Sequence, residues 1–165
     1  MKTKLFWLLG LSLLIIRCDR EPSVTPSINF VGSTDCKSLG LKSINDQSSD
    51  KDCIQYRWVT GDSLIIKHIN AAFNCCPLGF ITELKVSGDT LIVTEKENSS
   101  MCDCSCLFDL NYNLAGITRD TWWIRIDEQY VQQPGAEKIL FKAEFSKVPE
   151  GEFCVTRTGY PWGTK

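Results

Sequence analysis

Hydrophobic and polar residues alternate along most of the chain after residue 54, which is the pattern of β-strands with one buried face. Eight segments rich in β-branched and aromatic residues carry this pattern, and Gly-Asp or Pro-Gly turns separate several of them. The predicted strands span residues 55–60, 63–71, 80–87, 90–97, 102–114, 121–130, 139–147 and 153–158. Because no segment keeps a 3.6-residue period, we expect an all-β fold, an antiparallel meander that forms a β-sandwich or a barrel-like domain.

An eight-residue repeat supports the hairpins of this meander. The sequence VTGDSLII at 59–66 recurs as VSGDTLIV at 86–93. In each copy Gly-Asp lies between two alternating runs, and both residue types tolerate the backbone conformations of tight hairpin turns. We therefore predict two similar β-hairpins; a pair of equivalent ligand loops is the alternative.

The N-terminal segment has the layout of a secretory signal. Two lysines precede a twelve-residue apolar run at 5–16, which ends at Arg17. A membrane-spanning helix needs about 20 apolar residues, so the run predicts a signal peptide over residues 1–17 rather than a permanent anchor. Cys18 follows directly, and this arrangement resembles the lipobox of bacterial lipoproteins, in which the cysteine is lipidated after cleavage. Arg17 stands where a small residue is usual, as in the looser lipoboxes of Bacteroidetes-type bacteria; plain secretion is the alternative.

After the signal peptide, the chain divides into a tether and one domain. Residues 18–30 contain two prolines, small polar residues and no periodicity, which is typical of a flexible tether. Residues 31–165 have a suitable length for a single β domain. Within it, residues 37–52 are polar and turn-rich, and their acidic residues lack the spacing of a calcium loop, so we expect a solvated loop there.

Charge and cysteine content indicate an exported protein. The chain of 165 residues has a formal charge of −2 and nine cysteines. Loss of residues 1–17 removes three of the 18 basic residues and no acidic residue, which leaves 15 against 20 and a formal charge of −5. This acidity argues against nucleic-acid binding and against binding of the folded domain to anionic lipids. A lipid on Cys18 leaves an even number of cysteines in a compartment where disulfides persist.

The other eight cysteines are candidates for about four disulfide bonds that staple the domain. They are Cys36, Cys53, Cys75, Cys76, Cys102, Cys104, Cys106 and Cys154. Alternation over 102–114 predicts that the three cysteines of this stretch share the core face. Neighbouring cysteines on one face of a strand lie about 6.6 Å apart, so each favours a disulfide partner on another segment. The adjacent cysteines at 75–76 can supply two partners. For the others we expect a Cys36–Cys53 bond and a bridge from the cluster to Cys154.

The same cysteines have a second interpretation as a metal site. Five of them together with the single histidine would suit Cu(I) or Zn(II). This alternative set comprises His68, Cys75, Cys76, Cys102, Cys104 and Cys106. Thiol redox or nucleophile chemistry is a third alternative, although an oxidising compartment removes free thiols. We expect disulfides and no cofactor, with His68 at a strand end beside the cysteines.

No catalytic residues are predicted. The sequence has no nucleophile elbow, P-loop or dinucleotide fingerprint, and it shows no residue that would orient His68 as a general base. Glu95 and Glu97 are assigned to the polar face of a hairpin, where we expect them to be solvated. We therefore expect a protein that is not an enzyme.

A longer block of sequence resembles a known group of proteins. The residues NCCP at 74–77, GDTLIVTEKE at 88–97 and CDCSCLFDLNYNLAGI at 102–117 resemble a recurring block in uncharacterised, cysteine-containing exported lipoproteins of Bacteroidetes. The block covers residues 74–117, about a quarter of the chain. The resemblance implies a lipid-anchored location at the cell envelope, and it brings no assigned activity or substrate.

An aromatic platform is the candidate binding site. The apolar residues at 122, 124 and 126 have core parity, so the residues between them point outward. The platform candidates are Trp123, Arg125, Asp127, Tyr160 and Trp162. Exposed aromatic rings of this kind bind glycans or peptides, while packing under a sheet edge or chain end is the alternative.

Together these patterns predict an exported bacterial lipoprotein at the outer membrane or cell surface. Its contact with the membrane is expected through the N-terminal lipid, and its role is expected to be binding or structural rather than enzymatic. The alternatives are a Cu/Zn thiolate lipoprotein and a glycan- or peptide-binding module that uses the exposed tryptophan. A protein or glycan ligand fits this class, and the sequence does not name it.

Overall fold

A computed structural model describes residues 25–37, 50–59, 61–99, 102–131, 136–158 and 161. Over these ranges the chain forms nine β-strands and no helix, which confirms the all-β prediction. The strands are β1 (Ser27–Ser33), β2 (Lys51–Trp58), β3 (Leu64–Asn74), β4 (Phe80–Ser87), β5 (Thr90–Glu97), β6 (Ser105–Ala115), β7 (Thr121–Glu128), β8 (Leu140–Glu144) and β9 (Glu150–Thr156). None of the described residues belongs to a helix long and apolar enough to cross a bilayer. The predicted signal peptide and Cys18 lie outside the described residues.

The strands form two sheets that pack face to face. One has five strands in the order β1-β6-β3-β2-β9, and the other has four in the order β4-β5-β7-β8. Buried side chains from both sheets share one core, for example Leu64 and Leu110 from the first and Leu91 and Ile124 from the second. Within the described ranges neither sheet closes on itself, so the domain is a sandwich rather than a barrel.

The repeat forms two β-hairpins, as predicted. The hairpins are β2–β3 and β4–β5. Ser87 pairs with Thr90, so Gly88 and Asp89 form a two-residue turn. Gly61 and Gly88 have φ angles of 79° and 60°, a left-handed conformation that glycine adopts without a Cβ penalty. The bounds of β4 and β5 match the predicted strands at 80–87 and 90–97 because this turn chemistry marks where each run stops.

The strand order departs from the predicted meander. After β5 the chain crosses to the five-stranded sheet, where β6 pairs with β1 and β3, and it then returns to the four-stranded sheet as β7. This double crossing makes β7 parallel to β5, while the other paired strands that the structure describes are antiparallel. Alternation reveals the buried face of a strand but not its neighbours, so the sequence pattern did not predict the crossing.

The predicted tether at 18–30 is too long. β1 begins at Ser27 and pairs with β6, with Ile28 opposite Leu114 and Phe30 opposite Tyr112. Ile28 and Phe30 pack against the core. Two alternating apolar residues after a proline gave too short a pattern to indicate a strand, so residues 27–30 were assigned to the tether although they belong to the domain.

Replacing Gly88 with alanine should lower the free energy of unfolding by about 1–2 kcal/mol, because an L-residue is strained at this φ. An added Cβ would meet no atom within 4 Å, so the cost comes from the backbone alone. Denaturant titration with the disulfides intact measures the loss. Gly32→Ala is the matched control, since its site is equally open and has no positive φ. Equal losses in both variants would contradict the turn.

Candidate functional site

Four disulfide bonds join the eight cysteines that were predicted to pair. The bonds are Cys36–Cys106, Cys53–Cys154, Cys75–Cys104 and Cys76–Cys102. The cysteines at 75–76 supply two partners to the C-x-C-x-C segment, which confirms that prediction. The expected Cys36–Cys53 bond and the bridge from the cluster to Cys154 are wrong, because Cys53 lies opposite Cys154 in the β2–β9 pairing. The correct pairs follow from strand order, which the sequence pattern does not show.

The predicted core face of the C-x-C-x-C segment is correct only for its last cysteine. Cys106 is buried in β6, which begins at Ser105. Cys104 is exposed and Cys102 is half-buried, and both precede the strand. Their bonds to the cysteines at 75–76 hold this segment in place, together with the hydrogen bond that the Cys75 backbone N–H donates to the Cys104 carbonyl oxygen over 3.1 Å.

The structure brings together four residues of the alternative metal set and places the other two elsewhere. The four sulfur atoms of the cysteines at 75–76, 102 and 104 lie within 4.8 Å of one another, but they are joined in two disulfides. Cys106 is bonded to Cys36 instead. His68 lies within β3 and is fully buried between carboxylates, so its predicted position at a strand end beside the cysteines is wrong. β3 extends past His68 to Asn74 through a bulge.

The predicted outward residues of β7 share the outer face of the four-stranded sheet. Trp123 is 38% exposed, which agrees with the predicted parity. Arg125 and Asp127 lie on the same face and form an ion pair, with Arg125 Nη2 2.8 Å from Asp127 Oδ2. Tyr160 and Trp162 lie outside the described residues. The structure therefore brings three of the five platform candidates together.

A group of five buried charged side chains lies between the two sheets. It comprises Asp52 of β2, His68 of β3, Glu95 of β5, Glu128 of β7 and Arg157, which follows β9. These five residues are named the buried ion cluster. Each residue is at most 7% exposed, whereas charged residues rarely lie in an interior unless they are paired.

His68 connects the two sheets at the centre of the cluster. Its Nδ1 lies 2.7 Å from Glu95 Oε2 in the four-stranded sheet, and its Nε2 lies 2.7 Å from Asp52 Oδ1 in its own sheet. A ring with a proton on each nitrogen donates to both carboxylates. Burial alone lowers the pKa of His68, but the negative charges of Glu95 and Asp52 and their hydrogen bonds raise it well above the usual value.

Arg157 binds one carboxylate oxygen of Asp52 and one of Glu128. Its Nε donates to Asp52 Oδ2 over 2.7 Å, and its Nη2 donates to Glu128 Oε2 over 2.9 Å. Its Nη1 donates to the Glu137 carbonyl oxygen. Each of the two carboxylates therefore gives one oxygen to Arg157, and the second oxygen of each faces His68, with Glu128 Oε1 lying 3.9 Å from His68 Nε2.

Glu128 Oε1 is buried and has no hydrogen-bond partner among the described residues. The buried hydroxyl of Tyr112 on β6 faces the carboxylate of Glu95 instead. Burial raises the pKa of the Tyr112 phenol well above its usual value, and the charge of Glu95 and its contact with the phenol raise it further. Because a buried polar atom without a partner costs about 1–3 kcal/mol, the unpaired oxygen of Glu128 is unusual.

Glu128 has a strongly raised pKa. Burial, followed by the negative charge of Asp52, raises the pKa of Glu128 to about 8, although His68 and Arg157 act in the opposite direction. At neutral pH Glu128 is therefore protonated. With Asp52 and Glu95 counted as carboxylates, two negative charges then balance His68 and Arg157.

Four members of the cluster were not predicted to lie in the interior, namely Asp52, Glu95, Glu128 and Arg157. Glu95 was expected to be solvated, which is wrong because it is fully buried. Asp52 was assigned to the solvated loop at 37–52, which is also wrong because β2 begins at Lys51. The available signal was phase, since Glu95 has the parity of the buried Leu91 and Val93. A charged residue in phase with core residues indicates a buried charge that needs partners.

The cluster has the residue types of an acid–base site but no access to solvent. Asp52, His68 and Glu95 are 0% exposed, so a substrate could reach them only if the two sheets separated. The chain matches no family model, no curated protein sequence and no solved structure.

The protein should lose stability as the pH rises from 5 to 8. The pKa of Glu128 is about 8 in the folded protein, whereas the ordinary value of 4.5 applies in the unfolded chain. Between these two pH values the folded state therefore holds one proton more than the unfolded state. The stability from this proton is complete below pH 4.5 and is lost as the pH approaches 8. The raised pKa of His68 acts in the same direction above 6.5. In metal-free denaturant titrations we expect a loss of about 1 kcal/mol per pH unit below pH 6.5 and about twice that above it.

Glu128→Gln tests the assignment, because the neutral amide cannot lose a proton. The variant should show a shallower pH dependence than the natural protein over the same range. Glu150→Gln is the control, since Glu150 is exposed at the start of β9 and its substitution should leave the slope unchanged. The same slope in Glu128→Gln and in the natural protein would show that Glu128 does not titrate as assigned.

Proposed function

We propose that this chain is an exported bacterial lipoprotein, held at the outer membrane or cell surface by a lipid on Cys18. Its β-sandwich acts there as a binding or structural module without enzymatic activity. The observation that carries this proposal is the cysteine pairing. Eight of the nine cysteines form four bonds with one another, so none of the eight is left to pair with Cys18.

The disulfides support a location outside the cytoplasm. Bonds of this number persist in oxidising compartments and are rare where thiols are kept reduced. They close loops with sequence separations of 70, 101, 29 and 26 residues. Each contributes about 2–4 kcal/mol in the usual range, which suits a domain that must stay folded without chaperones. The apolar run at 5–16, followed by Cys18, supplies the signal and the lipidation site that such a location requires.

Burial of the charged groups supports a role other than catalysis. A general acid or base must come within about 3 Å of the proton that it transfers. The one histidine of the chain is sealed between the sheets with Asp52 and Glu95. The residues on the outer face of the four-stranded sheet, Trp123, Arg125 and Asp127, are instead of types that form binding surfaces.

Cys18→Ala should abolish lipid attachment. In a Bacteroidetes-type host fed an alkyne fatty acid, the natural chain should be labelled and partition with detergent, whereas the variant should be unlabelled and soluble. Ser23→Ala, a substitution in the predicted tether, should behave like the natural chain. Intact mass without reduction should also show four disulfides in each form. An unlabelled, soluble natural chain would indicate plain secretion and contradict the lipoprotein proposal.

The outer face of the four-stranded sheet is a second candidate, as a glycan- or peptide-binding surface. Trp123 lies between Thr90 and Lys142 in the sheet ladder, and Leu140 on the next strand is 45% exposed. An apolar ring beside hydrogen-bonding and charged groups suits stacking against a sugar face. The exposure of Trp123 is the observation that favours this surface.

Trp123→Ala should weaken glycan binding by at least about tenfold, because the loss of an anchoring aromatic ring costs more than about 1 kcal/mol. Labelled protein on a glycan array, followed by titration of any positive sugar, measures the effect. Leu78→Ala is the control, since Leu78 is 69% exposed but precedes β4 and lies outside this sheet face. If the natural protein bound no glycan or peptide on such arrays, that result would contradict the proposed binding surface.

A further inference from the structure

The buried ion cluster contains ligand atoms that suit a divalent cation. His68 Nε2, one oxygen of Asp52 and one oxygen of Glu128 lie within 4.8 Å of one another. The three side chains are at most 2% exposed. Imidazole nitrogens and carboxylate oxygens are both ligand types that Zn²⁺ and related metals accept. We propose that the chain binds one divalent metal ion, such as Zn²⁺, at His68, Asp52 and Glu128.

Glu128 Oε1 is the independent observation that points to a ligand. This atom is buried and has no hydrogen-bond partner in the part of the chain that the structure describes. It faces His68 Nε2 at 3.9 Å, and Asp52 Oδ1 lies 2.7 Å from the same nitrogen. Metal bonds of about 2.0–2.2 Å separate neighbouring ligand atoms by about 3–3.5 Å, so shifts of less than about 1 Å would complete the site.

The surrounding contacts orient these three ligands. Glu95 Oε2 lies 2.7 Å from His68 Nδ1, so Nδ1–H can donate to this carboxylate while Nε2 faces the metal. Carboxylates hold metal-binding histidines in this way in many proteins. Arg157 takes the far oxygens of Asp52 and Glu128 at 2.7 and 2.9 Å, which leaves their near oxygens directed at His68.

The charge of the cluster also fits a divalent ion. Metal binding displaces the proton of Glu128, because a ligating carboxylate must be ionised. Asp52, Glu95 and Glu128 then contribute three negative charges, and Arg157 contributes one positive charge. With a neutral imidazole, as metal binding requires, the remainder is two negative charges. A divalent cation neutralises this remainder, whereas a monovalent cation would leave a net charge between two apolar faces.

The position of the site makes the ion a link between the sheets. Asp52 and His68 belong to β2 and β3 of one sheet, and Glu128 belongs to β7 of the other. Because the ligands are sealed in the folded domain, the ion would enter while the sheets assemble, and its binding energy would add to folding stability. Metal loading is therefore best achieved by refolding.

The experiment uses the purified protein with its four disulfides intact. It is unfolded in guanidinium with a chelator and refolded either with Zn²⁺ or with chelator alone. After gel filtration, elemental analysis should find one zinc per chain, and zinc should raise the unfolding midpoint. X-ray absorption should show nitrogen and oxygen ligands at about 2.0–2.1 Å. A sulfur shell at about 2.3 Å would place the metal on the cysteines and overturn the proposal, as would a protein that retains no zinc.

Two isosteric variants sharpen the assignment. Glu128→Gln removes a charged ligand but keeps an oxygen that can accept from Arg157, and it should weaken zinc binding more than Glu95→Gln. Glu95→Gln perturbs only the partner of His68 and should cost about 10–100-fold in affinity. Glu144→Gln, an exposed-face substitution at the end of β8, should bind zinc normally. Unchanged affinity in Glu128→Gln would overturn the proposal; if that variant does not fold, the ligand shell of the natural protein decides.

Discussion

Charge placed between two apolar sheet faces must be balanced locally, and this requirement sets how the two halves of the sandwich meet. Moving an ion from water into an interior costs several kcal/mol, which only close and well-oriented partners offset. The buried ion cluster meets the requirement with contacts of 2.6–2.9 Å between groups from both sheets. Leucine and isoleucine side chains tolerate small shifts between packed sheets, whereas such contacts do not. The cluster therefore fixes the relative position of the sheets more narrowly than the core alone.

The disulfides complement this constraint because none of the cysteines that they join lies in a strand of the four-stranded sheet. Cys53–Cys154 joins β2 to β9, and Cys36–Cys106 joins the segment after β1 to β6. The other two join the segment between β3 and β4 to the segment between β5 and β6, and so close the base of the β4–β5 hairpin. No bond among the described cysteines reaches the four-stranded sheet. Core packing and the contacts of Glu95 and Glu128 join its strands to the other sheet, so the non-covalent contacts of the cluster act where no disulfide joins a strand of one sheet to a strand of the other.

The sequence pattern was sufficient to predict most of the strands, but it was not sufficient to predict which strands pair with one another. β4 and β5 were predicted residue for residue because Gly88 and Asp89 interrupt a clear alternation. β1 was missed because its apolar residues are few, and the parallel β5–β7 pair was missed because it depends on a crossing between sheets. Glu95 was misplaced because its charge was weighed above its phase. Arg157 follows the last strand, and its role depends on partners about 30 and 105 residues away, which no local pattern reveals.

The bond between Cys36 and Cys106 has a mechanical consequence for a domain attached by its N-terminus. A pull on the segment before Ser27 acts first on β1, an edge strand that can be peeled from β6 one hydrogen bond at a time. Peeling stops at Cys36, because from there the load passes through a covalent bond into β6, which lies between β1 and β3 in the sheet. The domain can thus give up one edge strand under tension before the load reaches its central strands and its buried charges.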